Sequence, residues 1–293
     1  MRQRTLGTGS DAVAVSAVGL GAMPLSLKEG LGPEAAVQVV HAALESGVTL
    51  IDTADAYAPL DGDDIGHNER LVARALREWP GDTSEVLVAT KGGHTRAPGG
   101  AWGTDGSPAH LRSACEASLV ALGVDAIGLY QLHRPDPTVP FAESVGALKE
   151  LRDKGLVLRV GLSNVSVAQI DEALHILGSD GLASVQNRFS PAHREHGPEL
   201  RHCDQLGIAF LPWSPLGGMW GNASRIGELH ARFADVALMR GVSPQQVTIA
   251  WHLALAENVI PIPGASRPES IRASAEAAQI ELTSVELDLL GWD

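Results

Sequence analysis

From Val18 to Ala278 the sequence repeats one pattern eight times: a short apolar run, then a segment whose apolar residues recur at helical spacing. The runs that read as strands lie at 18–23, 48–51, 85–89, 127–132, 157–162, 183–186, 208–211 and 259–262. The helical segments lie at 33–46, 69–79, 108–122, 141–154, 167–177, 198–206, 244–257 and 268–278. Pro33, Pro108, Pro244 and Pro268 suit first helical turns, and Gly47, Gly155 and Gly207 suit helix ends. Strand–helix alternation over short connections calls for a parallel sheet. Eight such units in 293 residues, with no linker between halves, favour closure into a barrel over an open doubly wound sheet. The expected fold is therefore α/β: one (β/α)8 TIM barrel over residues 1–293. An N-terminal β-hairpin at about 3–16 should precede it, turning at Gly7-Thr8-Gly9-Ser10-Asp11.

Most of the longer loops, 57–66, 92–107, 133–140 and 217–226, follow a strand, so they should gather at one mouth of the barrel. Three strand runs end there in ionisable groups. Residues 50–52 end in Asp52 with Tyr57 just beyond, residues 88–91 end in Lys91, and residues 127–132 run into His133. A charge where a strand leaves a core is costly unless it is paired or working. A tyrosine of ordinary pKa, about 10, is a reluctant acid at neutral pH. A lysine beside it, held by an aspartate, is expected to lower that value, while an imidazole aims a substrate oxygen at the phenol. Such a set suits protonation of a carbonyl oxygen as hydride reaches its carbon. Singly, each residue also has a plain reading: a loop or cap aspartate, a solvated lysine, an aromatic plug, a satisfied core histidine. Their position on consecutive units makes them one candidate site.

Composition narrows the alternatives. Thirty-five acidic residues against 22 Lys and Arg give a net charge of −13, which argues against nucleic acid and anionic membranes as partners. Two distant cysteines, Cys115 and Cys203, make no disulfide framework or CxxC zinc site and suit a reducing, cytoplasmic setting. No run approaches the ~18 apolar residues of a membrane span, and residues 1–6 lack an apolar signal core. Gly19-x-Gly21 lacks the third glycine of a dinucleotide fingerprint, since Pro24 stands there, and no P-loop occurs. His193, His196 and His202 read as solvated loop residues without acidic partners, so no metal site is expected.

Asp52-Thr53-Ala54-Asp55-Ala56-Tyr57, Ala89-Thr90-Lys91-Gly92 and Leu132-His133-Arg134-Pro135-Asp136 together resemble the aldo-keto reductases. The likeness continues through Gly161-Leu162-Ser163-Asn164, Val185-Gln186-Asn187, the stretch from Pro212 to Gly217, and Ile262-Pro263-Gly264. Gln186-Asn187-Arg188-Phe189, Ala192-His193-Arg194 and Pro215-Leu216-Gly217-Gly218 are similar to the bacterial branch that includes pyridoxal reductases. The resemblance implies a monomer-sized barrel, or a weak homo-oligomer, that binds NADPH across its mouth and reduces an aldehyde or ketone. It makes Tyr57 the general acid, Lys91 and Asp52 its partners, and His133 the group that orients the carbonyl. It assigns Ser163, Asn164 and Gln186 to the nicotinamide amide and Trp213 to a stack on the ring. It adds Gly21, Met23, Asp52, Ser214, Leu216, Gly264 and Ser266 to the cofactor site, with Arg267 on the 2′-phosphate. The family's Glu-Asn pair in the last helix is replaced by Ala273 and Ser274, so adenine contacts there are expected to be weaker. Trp102 and Trp220 are candidate pocket residues; with little chain after residue 290, the pocket is expected to be open.

A reductase dedicated to a keto-sugar or pyridoxal within a pathway fits the same residues, and two competing classes remain beside it. The family also includes a non-catalytic, nucleotide-binding auxiliary subunit of a membrane channel. A metal-dependent barrel hydrolase would need a histidine partner for His133 at another strand end, and the sequence offers none.

Overall fold

The computed structural model describes residues 1–60, 64–97, 99–218 and 223–291. Its strands are β1 (Gln3–Leu6), β2 (Val13–Ser16), β3 (Leu20–Gly21), β4 (Leu50–Asp52), β5 (Leu87–Gly92), β6 (His94–Arg96), β7 (Trp102–Thr104), β8 (Leu129–Leu132), β9 (Val160–Ser163), β10 (Ser184–Gln186) and β11 (Ala209–Phe210). The helices are α1 (Pro24–Leu27), α2 (Pro33–Glu45), α3 (His67–Glu78), α4 (Pro108–Leu122), α5 (Phe141–Asp153), α6 (Val167–Leu177), α7 (Gly197–Leu206), α8 (Ile226–Leu229), α9 (Ala231–Arg240), α10 (Pro244–Leu255), α11 (Pro268–Glu276) and α12 (Ser284–Leu290).

Seven strands form a parallel sheet in the order β11-β10-β9-β8-β5-β4-β3, curled with helices outside. The eighth apolar run, 259–262, closes the barrel without becoming a regular strand. On one side Ile260 and Ile262 donate to the carbonyls of Phe210 and Pro212. On the other, Gly19 and Gly21 donate to the carbonyls of Pro261 and Pro263. Prolines carry no N–H to return, so that seam has only half a ladder. The barrel is thus present, with its last strand reduced by its own sequence.

Alternation along each strand decides what faces the interior. Leu50, Leu87 and Leu129 point in and pack with Leu6, Val15, Leu211 and Ile260, while Ile51, Tyr130, Leu132 and Val185 point out against the helices. The antiparallel hairpin β1–β2 plugs the N-terminal end through Leu6 and Val15. Arg4, almost fully buried, ties it to α10 by donating to the carbonyls of Leu253 and Glu257 and to the Glu257 carboxylate. The opposite end is left for the loops.

Several elements were not legible as helix or strand. Residues 92–107, read as loop, contain the hairpin β6–β7, and α1, α8, α9 and α12 join the eight expected helices. The last expected helix stops at Glu276 and continues as a 3-10 turn over Ala277–Gln279. α12 is pinned to α9 by a two-pronged pair, Arg240 Nε and Nη2 each 2.5 Å from the Glu286 carboxylate. That contact, with the Thr283 cap, holds the Glu286 pKa at about 2, below its ordinary 4.5. A depressed carboxylate pKa contributes stability that is whole above 4.5 and lost as pH falls through about 2. Glu286→Gln should therefore cost about 1 kcal/mol at neutral pH, after allowance for solvent screening. In chemical denaturation the gap between variant and wild type should narrow as pH drops below about 4.5.

Candidate active site

The same alternation carries polar side chains inward at the C-terminal ends of the strands. Asp52 on β4, Lys91 on β5, Gln131 on β8, Ser163 on β9 and Gln186 on β10 meet inside the barrel, all of them buried. Gly161 leaves room for this layer: a Cβ there would lie 2.5 Å from Ser184 Oγ and 2.8 Å from Gln131 Cγ. Gly92, beside Lys91, has a similar reason, since a Cβ would sit 2.1 Å from the Tyr130 hydroxyl.

Lys91 is fully buried and spends its three N–H donors on three acceptors. They are Asp52 Oδ2 at 2.7 Å, the Thr53 carbonyl at 2.8 Å and the Tyr57 hydroxyl at 3.3 Å. Asp52 is fixed in turn by Gln186 Nε2 at 2.7 Å and Gln131 Nε2 at 3.3 Å, both on Oδ1. His133 stands edge-on to Tyr57, ring centroids 5.5 Å apart. The four sequence-predicted residues from three strands and one loop therefore do converge.

The electrostatics differ from the sequence reading at Tyr57. Burial pushes its pKa above 10, and the opposing pull of Lys91 does not offset it, with Asp52 adding to the rise. The phenol is thus more firmly protonated at neutral pH, not less, because burial penalises the charged phenolate more than Lys91 favours it. Burial works to lower the Lys91 pKa, but Asp52 and Tyr57 raise it above its ordinary value, so it stays an ammonium. His133 is held well below 6.5 by burial first, then by Lys91, His94 and Arg134.

His133 also has a neighbour that strand-end reasoning missed. His94, on β6, packs edge-on with centroids 4.3 Å apart, and its Nδ1 lies 2.9 Å from the Gly103 carbonyl. Nothing near residue 94 signals this, since the contact depends on the hairpin folding back over β8. Among the described residues no group of three His, Cys, Asp or Glu could hold a metal ion. The expectation that His193, His196 and His202 lack acidic partners is overturned. Glu195 lies 3.7 Å from His193, Glu199 3.2 Å from His196 and Asp171 2.7 Å from His202. Two of these acids lie within three residues in sequence, and Asp171 is brought to α7 by the packing of α6.

Behind the site, two further acids are buried. Asp55 is raised well above an ordinary carboxyl by burial and by nearby Glu69, and Glu69 is raised by burial while accepting from Thr90 Oγ1 at 2.6 Å. Asp55 sits in a quoted motif and Glu69 opens the helix expected at 69–79, yet only packing shows that they are sealed from water.

A cavity of about 1130 Å³ opens over this layer. Tyr57, His94, Trp102 and His133 line one part, and Gly21, Met23, Asp52, Ser163, Asn164 and Gln186 line the floor. Trp213, Ser214, Leu216 and Gly264 carry it onward to Ser266, Arg267, Ala273 and Ser274. Trp220 lies outside the described residues. Asn164 and Ser214 have left-handed backbones, φ 60° and 50°, where the chain turns sharply off strand ends. Asn164 knits three of them: its Nδ2 donates to the His133 carbonyl and Ser163 Oγ, and its Oδ1 accepts from Trp213 Nε1 at 3.2 Å. At the far end Lys28 donates to Ser266, while the Arg267 guanidinium makes no hydrogen bond or ion pair among the described residues and stands at the start of α11.

The chain is similar to known proteins in both sequence and fold. Residues 17–290 match the Aldo/keto reductase family. An uncharacterized oxidoreductase of Schizosaccharomyces pombe is 33% identical over 276 residues, 93% of this chain and 84% of that protein. A glycerol dehydrogenase of Gluconobacter oxydans superposes with a TM-score of 0.82 at 27% identity, covering 98% of this chain and 94% of that one. An aldo/keto reductase of Klebsiella pneumoniae, solved with NADP and acetate, superposes with a TM-score of 0.79 at 27% identity, covering 98% and 94%. The match is to the family as a whole and does not single out a pyridoxal-reductase branch. No helix among the described residues is long and apolar enough to cross a membrane.

Proposed function

Since the chain belongs to the aldo/keto reductase family, we propose that it is an NADPH-dependent oxidoreductase that reduces an aldehyde or ketone to an alcohol, with Tyr57 as general acid. One observation carries this reading. Lys91 donates to the Tyr57 oxygen, so the phenol's own proton is free for an acceptor in the cavity.

The residues fit the cofactor. The groove narrows where β3 meets the closing run: a Cβ at 21 would lie 2.8 Å from the Ile262 carbonyl, and one at 264 would lie 2.9 Å from Pro24 Cγ. Only glycine lets a molecule and two backbones pass so close. Ser163, Asn164 and Gln186 offer amide and hydroxyl partners to a nicotinamide, and Trp213 offers a face. Arg267, at the N-terminal end of α11, suits a phosphate. When bound, NADPH supplies the hydride.

The chain's own groups handle the proton. Tyr57 donates it to the carbonyl oxygen, and the phenolate left behind is stabilised by the Lys91 ammonium, itself anchored by Asp52. A buried Nδ1 without a partner leaves the single proton of neutral His133 to Nε2, which can donate to the same oxygen and hold it at the phenol.

The test follows NADPH absorbance with purified protein and a panel of aldehydes. Oxidation supports the reductase; NADPH binding with no oxidation of any carbonyl points instead to a non-catalytic auxiliary subunit. Arg267→Ala is expected to weaken NADPH binding by about 10- to 100-fold, the range for a lost charge-assisted pair. NADH, without the 2′-phosphate, should be little affected, and fluorescence titration of both nucleotides checks this.

A further inference from the structure

We propose that Arg134 is an anion anchor, and that the natural substrates are carbonyl compounds carrying a carboxylate or phosphate a short chain away from the reacting carbon. The inference rests on the reductase reading and names its substrate class.

Arg134 follows His133 directly, and the backbone at that point is fixed on both sides. His133 donates its N–H to the Gly92 carbonyl at 2.9 Å, and its own carbonyl accepts from Asn164 at 3.0 Å. The arginine therefore leaves the barrel from a rigid position one residue past the imidazole. It is exposed and lines the same cavity as Tyr57, His133 and Trp102. Among the described residues it makes no hydrogen bond, ion pair or ring contact, unlike Arg96 and Lys28 near this opening. Arg96 lies over the Trp102 ring at 4.2 Å and donates to the carbonyls of Gly100, Pro59 and Leu60. Lys28 is bonded to Ser266, and Arg267 stands at the start of α11.

The rest of this end of the cavity is apolar. Met23, Leu27, Leu60 and Trp102 offer dispersion contacts and no charge. The acids lining the cavity are placed elsewhere: Asp52 is held by Lys91, Glu29 follows Lys28, and Glu269 follows Arg267 within α11. In a chain of net charge −13, a guanidinium with no partner among the described residues, one residue past the His133 imidazole, is a local reversal of sign. Its influence already reaches both imidazoles, helping to keep His133 and His94 neutral. A guanidinium fork takes carboxylate or phosphate oxygens in pairs, which fixes the direction of the bound molecule as well as its charge. Anchored there, such a substrate lies along the apolar wall with its carbonyl toward Tyr57.

The experiment compares matched pairs under NADPH: 4-carboxybenzaldehyde against benzaldehyde, and glyceraldehyde 3-phosphate against glyceraldehyde. The readout is the ratio of kcat/KM within each pair, taken for wild type, Arg134→Gln and Arg134→Lys. Each enzyme is its own control, so a partly misfolded variant does not distort the result. Wild type should prefer the charged member by about tenfold or more, mainly through KM, and the preference should shrink as salt is raised. Arg134→Gln should bring the ratio near one, and Arg134→Lys should keep part of it. Preference in one pair only identifies which oxyanion is used. Turnover of the neutral aldehydes without a preference in either pair, or a preference that survives Arg134→Gln, overturns the anchor alone. No oxidation of NADPH by any of the four overturns the reductase reading and the anchor with it.

Discussion

Tyr57→Phe is expected to lower kcat for every aldehyde by about 10²- to 10⁴-fold, the range for loss of a positioned general acid. The ring, its burial and its edge contact with His133 all survive the change, so NADPH binding should be nearly unaltered. That combination separates a chemical role from a structural one. Stopped-flow or steady-state absorbance with a nucleotide titration measures both. The pH profile adds a signed check. A general acid must be protonated, and Tyr57 is raised above 10, so the reduction rate should hold through neutral pH and fall only in strong alkali. His133 is neutral until well below 6.5, so any acid limb it causes should lie under that value. A rate that falls between pH 7 and 9 would point to a different proton donor.

The second large effect concerns stability. Asp52→Ala leaves the Lys91 ammonium buried, with a carbonyl and a phenol as its only partners. Stranding a buried charge in this way costs about 3–5 kcal/mol, and two glutamine amides lose their acceptor as well. In a chain of this size the melting temperature should drop by roughly 10 °C. Adding Lys91→Met should recover most of that loss, because the unpaired charge goes with it. Thermal or urea unfolding of both single variants and the double variant closes the cycle. Strictly additive losses would mean that the two charges are not coupled, and the account of Lys91 as an anchored cation would fail. All three variants should be inactive as reductases.

Much of this was legible because the barrel's logic is written at the ends of strands. An apolar run that stops at Asp52, Lys91 or His133 tells which unit carries a polar group, and parity along the strand tells that the group faces inward. What could not be read depends on distance across the fold. The rise in the Tyr57 pKa comes from packing that no local pattern reports. His94 meets His133 only because β6 and β7 pair across a glycine- and proline-rich stretch that reads as loop. Helix α9 lies in 227–243, between the 217–226 loop and the helix expected at 244–257, a stretch for which the sequence reading names no element. The closing run at 259–262 reads correctly as apolar and extended, yet its prolines keep it from forming a full strand. Arg134 stands in plain view within the motif, but its lack of a partner among the described residues is a property of the folded mouth alone.

The half-laddered join between β3 and the closing run bears on more than topology. Gly21 and Gly264 line the groove from either side of that join, where Gly19 and Gly21 donate to the carbonyls of two prolines that have no N–H to return. A nucleotide held in that groove, as proposed, is expected to brace the join from both sides. Occupancy and heat endurance are then expected to rise together, since a ligand that binds only the closed ring stabilises it.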